Sequence, residues 1–192
     1  GFAVVIIDGR GTPGRGPTWE REIAGDLATP ALDDQVDGLH ALAAANRDLD
    51  LTKVAIRGWS FGGYLAALAV LRRPDVFHAA IAGAPVTDWR LYDTYYTERY
   101  LGVDASSSAY DRSSLIDAAA SLTRPLLIVH GLADDNVVAA HTLRLSSALL
   151  AAGRPHSVLP LSGVTHMTPQ EVVAANLLKL EVAFLRDTLG IS

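Results

Sequence analysis

A serine in the first third of the chain has the sequence surroundings of a catalytic nucleophile. Residues 58–62, Gly-Trp-Ser-Phe-Gly, match the pattern G-x-S-x-G, with an apolar segment before them at 54–56 and an apolar helix-forming segment after them at 64–71. A strand that turns into a helix at one residue strains that residue, and we expect glycine two positions before and after it because a Cβ would collide there. Such patterns also arise by chance in glycine-rich turns, but the flanking strand and helix favour Ser60 as a nucleophile at the positive end of a helix.

A serine nucleophile requires a base, and the base requires a carboxylate that orients it. Of the six histidines, His166 alone lies in the loop expected for a general base, between the last predicted strand and the last predicted helix. Asp134 and Asp135 follow the preceding strand, so the chain order is Ser, Asp, His, as in an α/β-hydrolase. We assign the orienting role to Asp134, and a loop ion pair or helix cap to Asp135. The alternative, that the acidic pair only caps the helix at 138–150, is disfavoured by its combination with Ser60 and His166.

Apolar runs alternate with helix-forming segments along the chain. The predicted strands are 2–7, 54–57, 79–84, 125–131 and 156–161, and helices are predicted after 29, at 64–71, at 138–150 and from 168 to about 189. Thr29 and Thr168 are each expected to cap a helix whose first residue is the following proline, and Glu171 is expected to complete a capping box with Thr168. This alternation predicts an α/β-hydrolase fold with a doubly wound, mostly parallel sheet. Residues 86–123 have no long period and are predicted to form an excursion above the sheet.

Composition excludes several other classes of protein. The chain has 192 residues, 49% of them hydrophobic and 19% charged, which fits one folded domain. The net charge of -5 and the lack of a basic stripe argue against a nucleic-acid partner, and no apolar run has the length of a membrane span. There is no cysteine, so disulfides and thiolate metal sites are excluded.

Three segments resemble the prolyl oligopeptidase family, and in particular its dipeptidyl peptidase IV group: GWSFGGYLA, APVTDWRLYDTYYTERYLG and HGLADDNV. The resemblance covers essentially the whole chain. It implies that Ser60 is the nucleophile, Asp134 the orienting acid and His166 the base. It also implies that the backbone N–H of Phe61 contributes to the oxyanion hole.

The same resemblance implies an apolar pocket for a proline ring. The implied lining residues are Phe61, Val86, Trp89, Tyr92, Tyr96 and Val137, and Asn136 is implied to bind a substrate carbonyl. A proline ring is apolar and packs well on aromatic faces, so the residue types suit this role, although each aromatic alone could be part of the core. Phe61 stands where the resembled group has tyrosine, a change that keeps both the flat ring and the backbone N–H.

Two parts of the resembled family have no counterpart in the sequence. They are an upstream tyrosine that completes the oxyanion hole and an upstream β-propeller domain whose paired glutamates bind the free amino group of the substrate. The strands expected beside residues 2–7 are also missing. We therefore expect residues 1–192 to be the C-terminal part of an α/β-hydrolase catalytic domain, a fragment of a larger peptidase that lacks its N-terminal strands and any β-propeller domain.

The sequence thus predicts a serine peptidase that acts through an acyl-enzyme and releases N-terminal dipeptides ending in proline or alanine. Three alternatives stay open: an acylaminoacyl-peptidase or oligopeptidase, an esterase of the same fold, and a hydrolase-fold binding module without turnover. A peptide is the expected partner, and neither a cofactor nor a metal is expected. The oligomeric state stays open, with a homo-oligomer considered, and so does the compartment, with the cytoplasm favoured.

Overall fold

The computed structural model describes residues 1–168 and 170–191, which contain a four-stranded parallel sheet with helices before, between and after its strands. The strands are β1 Ala55–Trp59, β2 Ala79–Gly83, β3 Leu126–Gly131 and β4 Ser157–Leu161, and they lie side by side in chain order. The helices are α1 Pro17–Arg21, α2 Thr29–Ala45, α3 Phe61–Arg72, α4 Thr94–Leu101, α5 Ser108–Arg112, α6 Ala140–Ala151 and α7 Glu171–Leu189. Single 3₁₀ turns lie at Trp89–Leu91 and Ala119–Ser121. The predicted α/β-hydrolase architecture with a parallel sheet is confirmed.

The two central strands, β2 and β3, are buried throughout, and because successive side chains point to opposite sides, both faces of the sheet are covered there. In β3, Leu126 and Ile128 belong to the larger apolar core, while Leu127 and Val129 belong to a smaller cluster on the other face. The smaller cluster also contains Leu177 of α7. The uninterrupted apolar run of this strand therefore reflects two cores that share one sheet.

The segment between β2 and β3 is an excursion, as predicted. It contains α4, α5 and both 3₁₀ turns, and it packs into the larger core through buried Trp89, Tyr110 and Leu115. A backbone hydrogen bond of 2.9 Å from Leu115 N to Thr87 O joins its two ends. The excursion is thus an integral part of the domain and holds aromatic residues close to the first turn of α3.

The prediction of a buried strand at residues 2–7 is wrong. The segment pairs with none of the described strands, and Val4 and Ile6 are 84% and 89% exposed. A strand needs a neighbour for its backbone N–H and C=O groups, and an apolar run alone cannot supply one. The described contact at the end of the segment is instead with α2, where Gln35 Nε2 donates to Ile7 O at 3.0 Å.

Two predicted helix starts also differ from the structure. Thr29 is the first residue of α2 and not its cap; Asp26 Oδ1 accepts hydrogen bonds of 2.9 Å from the backbone N–H groups of Ala28 and Thr29. Helix α7 begins at Glu171 without a side-chain cap, so Thr168 does not cap it, and Pro169 lies outside the described residues. Asp26 therefore binds the N–H groups at the very start of α2, whereas a cap at Thr29 would have accepted from N–H groups two or three residues further into the helix.

Among the described residues, no helix combines the length and the apolar character that crossing a bilayer requires.

Candidate active site

Ser60 occupies a strained turn between β1 and α3. Its backbone angles are φ 60° and ψ −118°, a region that non-glycine residues rarely adopt. Two hydrogen bonds hold the turn: Ser60 N donates to Gly83 O at 2.8 Å, and Tyr64 N donates to Ser60 O at 2.9 Å. The strain is therefore maintained by both the neighbouring strand and the first turn of the helix.

The glycines around Ser60 differ in why they are needed. A Cβ at Gly58 would collide with the backbone of Gly62, and a Cβ at Gly63 would collide with the carbonyl oxygen of Gly83. A Cβ at Gly62 would meet nothing within 4 Å, so the expectation that this position excludes a side chain is wrong. The close contacts arise because the start of α3 lies directly against β1 and β2, and Gly63 faces that contact while Gly62 does not.

Phe61 is the first residue of α3, so its backbone N–H lies in the turn where helical N–H groups have no intrahelical acceptor. The N-terminus of a helix also carries partial positive charge. A negative oxygen formed next to Ser60 would be stabilised both by the free N–H of Phe61 and by the partial positive charge of the helix N-terminus. The sequence expectation of an oxyanion donor at Phe61 therefore has a suitable position in the structure.

The turn after β3 brings Asp134 to His166. Asp134 has a buried side chain, and its Oδ2 accepts a hydrogen bond of 2.8 Å from His166 Nδ1. Its Oδ1 accepts from the backbone N–H groups of Asn136 and Val137 at 3.0 and 2.9 Å. Asp135 is exposed. Of the two neighbouring carboxylates, the one at 134 is therefore in the orienting position.

This contact fixes the state of the imidazole. A carboxylate can only accept, so His166 Nδ1 carries the hydrogen and Nε2 of the neutral ring is free to take a proton. The main-chain carbonyl of His166 accepts a hydrogen bond of 2.6 Å from Trp59 Nε1. Within residues 1–168 and 170–191, no hydrogen bond joins the imidazole to Ser60.

A second histidine, His130 in β3, lies beside the acid. Its Nε2 is 2.7 Å from Val137 O and 3.7 Å from Asp134 Oδ2, and its Nδ1 is 2.6 Å from Thr142 Oγ1. Because a carbonyl only accepts, Nε2 carries the hydrogen and Nδ1 accepts from the threonine hydroxyl. Burial lowers the pKa of His130, which favours the neutral ring. The sequence analysis assigns His130 no role, although its position at the end of a strand, four residues before the acid, is a usable signal.

The aromatic residues that the resemblance singles out form one contacting cluster. Trp89 stacks on Tyr96 with 5.7 Å between ring centroids, and Tyr92 meets both rings edge-on at 5.8 and 5.6 Å. Phe61 lies 6.0 Å from Trp89. Trp89 is buried, as are Val86 and Val137, whereas the two tyrosines are half-buried. The tyrosines can therefore contact a ligand directly, while the buried members support them from behind.

Tyr92 connects this cluster to the turn that carries the acid. Its hydroxyl donates to Asn136 Oδ1 at 3.0 Å, which leaves the amide NH₂ of Asn136 to donate elsewhere. Burial raises the pKa of Tyr92 and of Tyr96, so both phenols stay protonated at neutral pH. The arrangement suits recognition of a carbonyl oxygen by Asn136.

The chain is similar to several dipeptidyl peptidases. Human dipeptidyl peptidase 8 is 44% identical over 162 residues, which are 82% of this chain and 18% of that protein. Dipeptidyl peptidase family member 1 of Caenorhabditis elegans is 41% identical over 137 residues, 70% of this chain and 17% of that protein. The crystal structure of Porphyromonas gingivalis dipeptidyl peptidase 4 superposes with a TM-score of 0.88 at 36% identity, over 95% of this chain and 26% of that one.

The chain therefore spans less than a fifth of the length of these two curated relatives. The model of the prolyl oligopeptidase family matches residues 1–192, the whole sequence. Family, relatives and solved structure agree on one assignment. The chain belongs to the prolyl oligopeptidase family and is a dipeptidyl-peptidase-like member of it.

Proposed function

We propose that this chain is catalytic in a serine peptidase that cleaves peptides after proline or alanine and releases N-terminal dipeptides. The observation that carries the proposal is the 2.8 Å hydrogen bond between Asp134 and His166, two residues that follow adjacent strands near a strained Ser60. A nucleophile elbow, an oriented imidazole and a helix N-terminus together are the parts that acyl transfer needs.

The reaction proceeds in two halves. Ser60 Oγ attacks the scissile carbonyl while His166 Nε2 takes its proton, and Asp134 stabilises the imidazolium through Nδ1–H. The N–H of Phe61 stabilises the oxyanion of the tetrahedral intermediate. His166 then returns the proton to the leaving amine, which leaves an acyl-enzyme on Ser60. Water, activated by the same imidazole, hydrolyses the acyl-enzyme and releases the dipeptide.

The aromatic cluster supplies the preference for proline. The half-buried faces of Tyr92 and Tyr96 offer apolar area that suits a proline ring, which has no N–H to satisfy. Alanine presents less apolar surface and gains less from the same contacts. Asn136 Nδ2 donates to a carbonyl of the bound dipeptide and sets its direction.

Chromogenic substrates test the proposal in the natural full-length protein. We expect Gly-Pro-p-nitroanilide to be cleaved with a higher kcat/KM than Ala-Ala-p-nitroanilide, and both to be cleaved better than acyl-amino-acid or simple ester substrates. A diphenyl phosphonate should label Ser60, and Ser60→Ala should lose both labelling and turnover. A preference for acyl-amino acids or esters would instead indicate one of those enzyme classes. Absence of turnover and of labelling would indicate a binding module.

A further inference from the structure

The strand that leads into Ser60 also presents a side chain to the loop of the base. Arg57 and Trp59 lie two residues apart in β1 and therefore on the same face of the sheet. This is the face of α7, because Arg57 Nε contacts the buried carboxylate of Glu181 at 2.8 Å. The Trp59 ring lies against the backbone of Gly83, where a Cβ would collide with it. Trp59 also packs against the smaller apolar cluster, which contains Leu177 of α7, so its position is restricted by its surroundings on this face of the sheet.

From this position the indole reaches His166. Trp59 Nε1 donates to the main-chain carbonyl of His166 at 2.6 Å. The loop that carries His166, which we call the base loop, follows β4. The start of this loop is bound to the turn that carries Asp134: Leu132 N donates to Leu161 O at 2.9 Å, and Ala133 N donates to Val164 O at 3.0 Å. Within the described part of the chain, the indole supplies the hydrogen bond between the base loop and β1.

We propose that Trp59 is a positioning residue for His166. The inference rests on the proposed function. In this role Trp59 touches neither the substrate nor the reacting atoms. It holds the backbone of His166 close to Ser60, the residue that follows Trp59 in the chain. Proton transfer requires the imidazole within about 2.6–3.2 Å of the serine oxygen, and a displacement of about 1 Å can reduce turnover about 100-fold. A single hydrogen bond at the backbone of the base can therefore control the rate.

Two variants of the natural full-length protein remove the donor. Trp59→Phe keeps an aromatic ring against Gly83, and replacement of Trp59 by 3-benzothienylalanine keeps the full bicyclic shape but has sulfur where the indole has N–H. The matched control is Trp19→Phe, because Trp19 Nε1 donates to Gly9 O at 2.9 Å in the N-terminal loop. Circular dichroism and thermal midpoints establish which variants are folded, and the benzothienyl variant decides the test if Trp59→Phe is not.

We expect loss of the Trp59 N–H to lower kcat about 10- to 100-fold and to change KM less than about twofold. Labelling of Ser60 by a diphenyl phosphonate should slow by the same factor, because it needs the same base. Trp19→Phe should keep wild-type kcat and labelling. A rise in KM at constant kcat, or wild-type kinetics in the benzothienyl variant, would overturn the proposal.

A double-mutant cycle separates positioning from general structural support. In a His166→Ala background there is no imidazole to position, so Trp59→Phe should change the residual rate less than about twofold. An equal loss in both backgrounds would overturn the proposal. If His166→Ala itself has wild-type activity, the proposed function is wrong. If His166→Ala is inactive but the benzothienyl variant is fully active, only the proposed role of Trp59 is wrong.

Discussion

His130 Nε2 lies 3.7 Å from Asp134 Oδ2, so the carboxylate that binds His166 has a second imidazole beside it. The hydroxyl of Thr142 donates to the other nitrogen of His130 and thereby holds the Nε2–H tautomer that donates to Val137 O. A neutral ring in this place leaves the negative charge of Asp134 available to His166. The turn that carries Asp134 is therefore held by side chains of β3 and α6 as well as by its own backbone N–H groups.

Removing the threonine hydroxyl should weaken this support. Thr142→Val keeps the shape but leaves His130 Nδ1 buried without a donor, which costs about 1–3 kcal/mol of unfolding free energy. We expect a lower thermal midpoint and about tenfold lower kcat/KM. Ser146→Ala is the control, because it removes a comparable hydroxyl–imidazole contact, to His156 at 2.7 Å, elsewhere on α6. Equal kinetic losses in both variants would disprove a specific link to the acid.

Exchanging each carboxylate for an amide tests the assignment of the acid. Asp134→Asn should lower kcat about 10⁴-fold, because an amide at this position favours the wrong tautomer of His166. Asp135→Asn should keep kcat within about twofold, because the Asp135 side chain is exposed and has no part in orienting the base. The measurement is steady-state turnover of Gly-Pro-p-nitroanilide. The reverse ranking would transfer the orienting role to Asp135.

The three glycines of the elbow should respond differently to alanine. Gly58→Ala and Gly63→Ala each place a Cβ against backbone atoms, and we expect a loss of at least about 3 kcal/mol or failure to fold. Gly62→Ala meets open space within α3 and should keep or raise stability, by up to about 1 kcal/mol. Yields of soluble protein and thermal midpoints measure the difference. A Gly62→Ala variant as unstable as the other two would contradict the packing described above.

Neighbouring tyrosines of α4 provide a matched test of the proline pocket. Tyr96 is half-buried in the aromatic cluster, whereas Tyr95 is 83% exposed. Tyr96→Ala should reduce kcat/KM for Gly-Pro about tenfold more than for Ala-Ala, because the proline ring loses more apolar contact. Tyr95→Ala should affect both substrates equally and by less than about twofold. Equal losses on both substrates in Tyr96→Ala would assign that ring to the scaffold only.

Buried His141 should make stability depend on pH. Its Nδ1 accepts a hydrogen bond of 3.1 Å from Thr87 N, so protonation would break that contact, and burial lowers the pKa of His141 to about 4. The unfolded chain then binds more protons below its own pKa of about 6.5, and stability is lost as the pH falls from about 6.5 to 4. Between pH 7 and 5 the loss is about 2 kcal/mol of unfolding free energy.

Asparagine at 141 removes this pH dependence because its Oδ1 can still accept from Thr87 but does not titrate. Urea unfolding at pH 7 and pH 5 should therefore show a smaller difference for His141→Asn than for the wild type. His40→Asn, on the exposed face of α2, should keep the wild-type difference. An unchanged pH dependence in His141→Asn would show that other groups cause it.

Local sequence patterns were sufficient where the physical cause is local. The apolar runs at β1 to β4 and the order of Ser60, Asp134 and His166 could be read from the chain, because the strands of a parallel sheet are rich in apolar residues and the loops at their carboxyl ends carry the functional side chains. The exposure of residues 2–7 could not be read from the chain in this way. A strand forms only beside a neighbouring strand, and the apolar run of a segment does not show whether such a neighbour is present. The same holds for the indole of Trp59, whose acceptor lies 107 residues away.

The two carboxylate oxygens of Asp134 bind different groups, so an engineered site would have to preserve both sets of contacts. Oδ1 closes the turn over Asn136 and Val137, and Oδ2 holds the imidazole. A glutamate at position 134 is one methylene longer, so it could keep the hydrogen bonds to the backbone N–H groups or the hydrogen bond to the imidazole, but not both. In a library randomised at residues 132–135, active clones should therefore retain aspartate at 134 even where residues 132, 133 and 135 vary. Transplantation of this acid into another scaffold would need to include the turn that it closes.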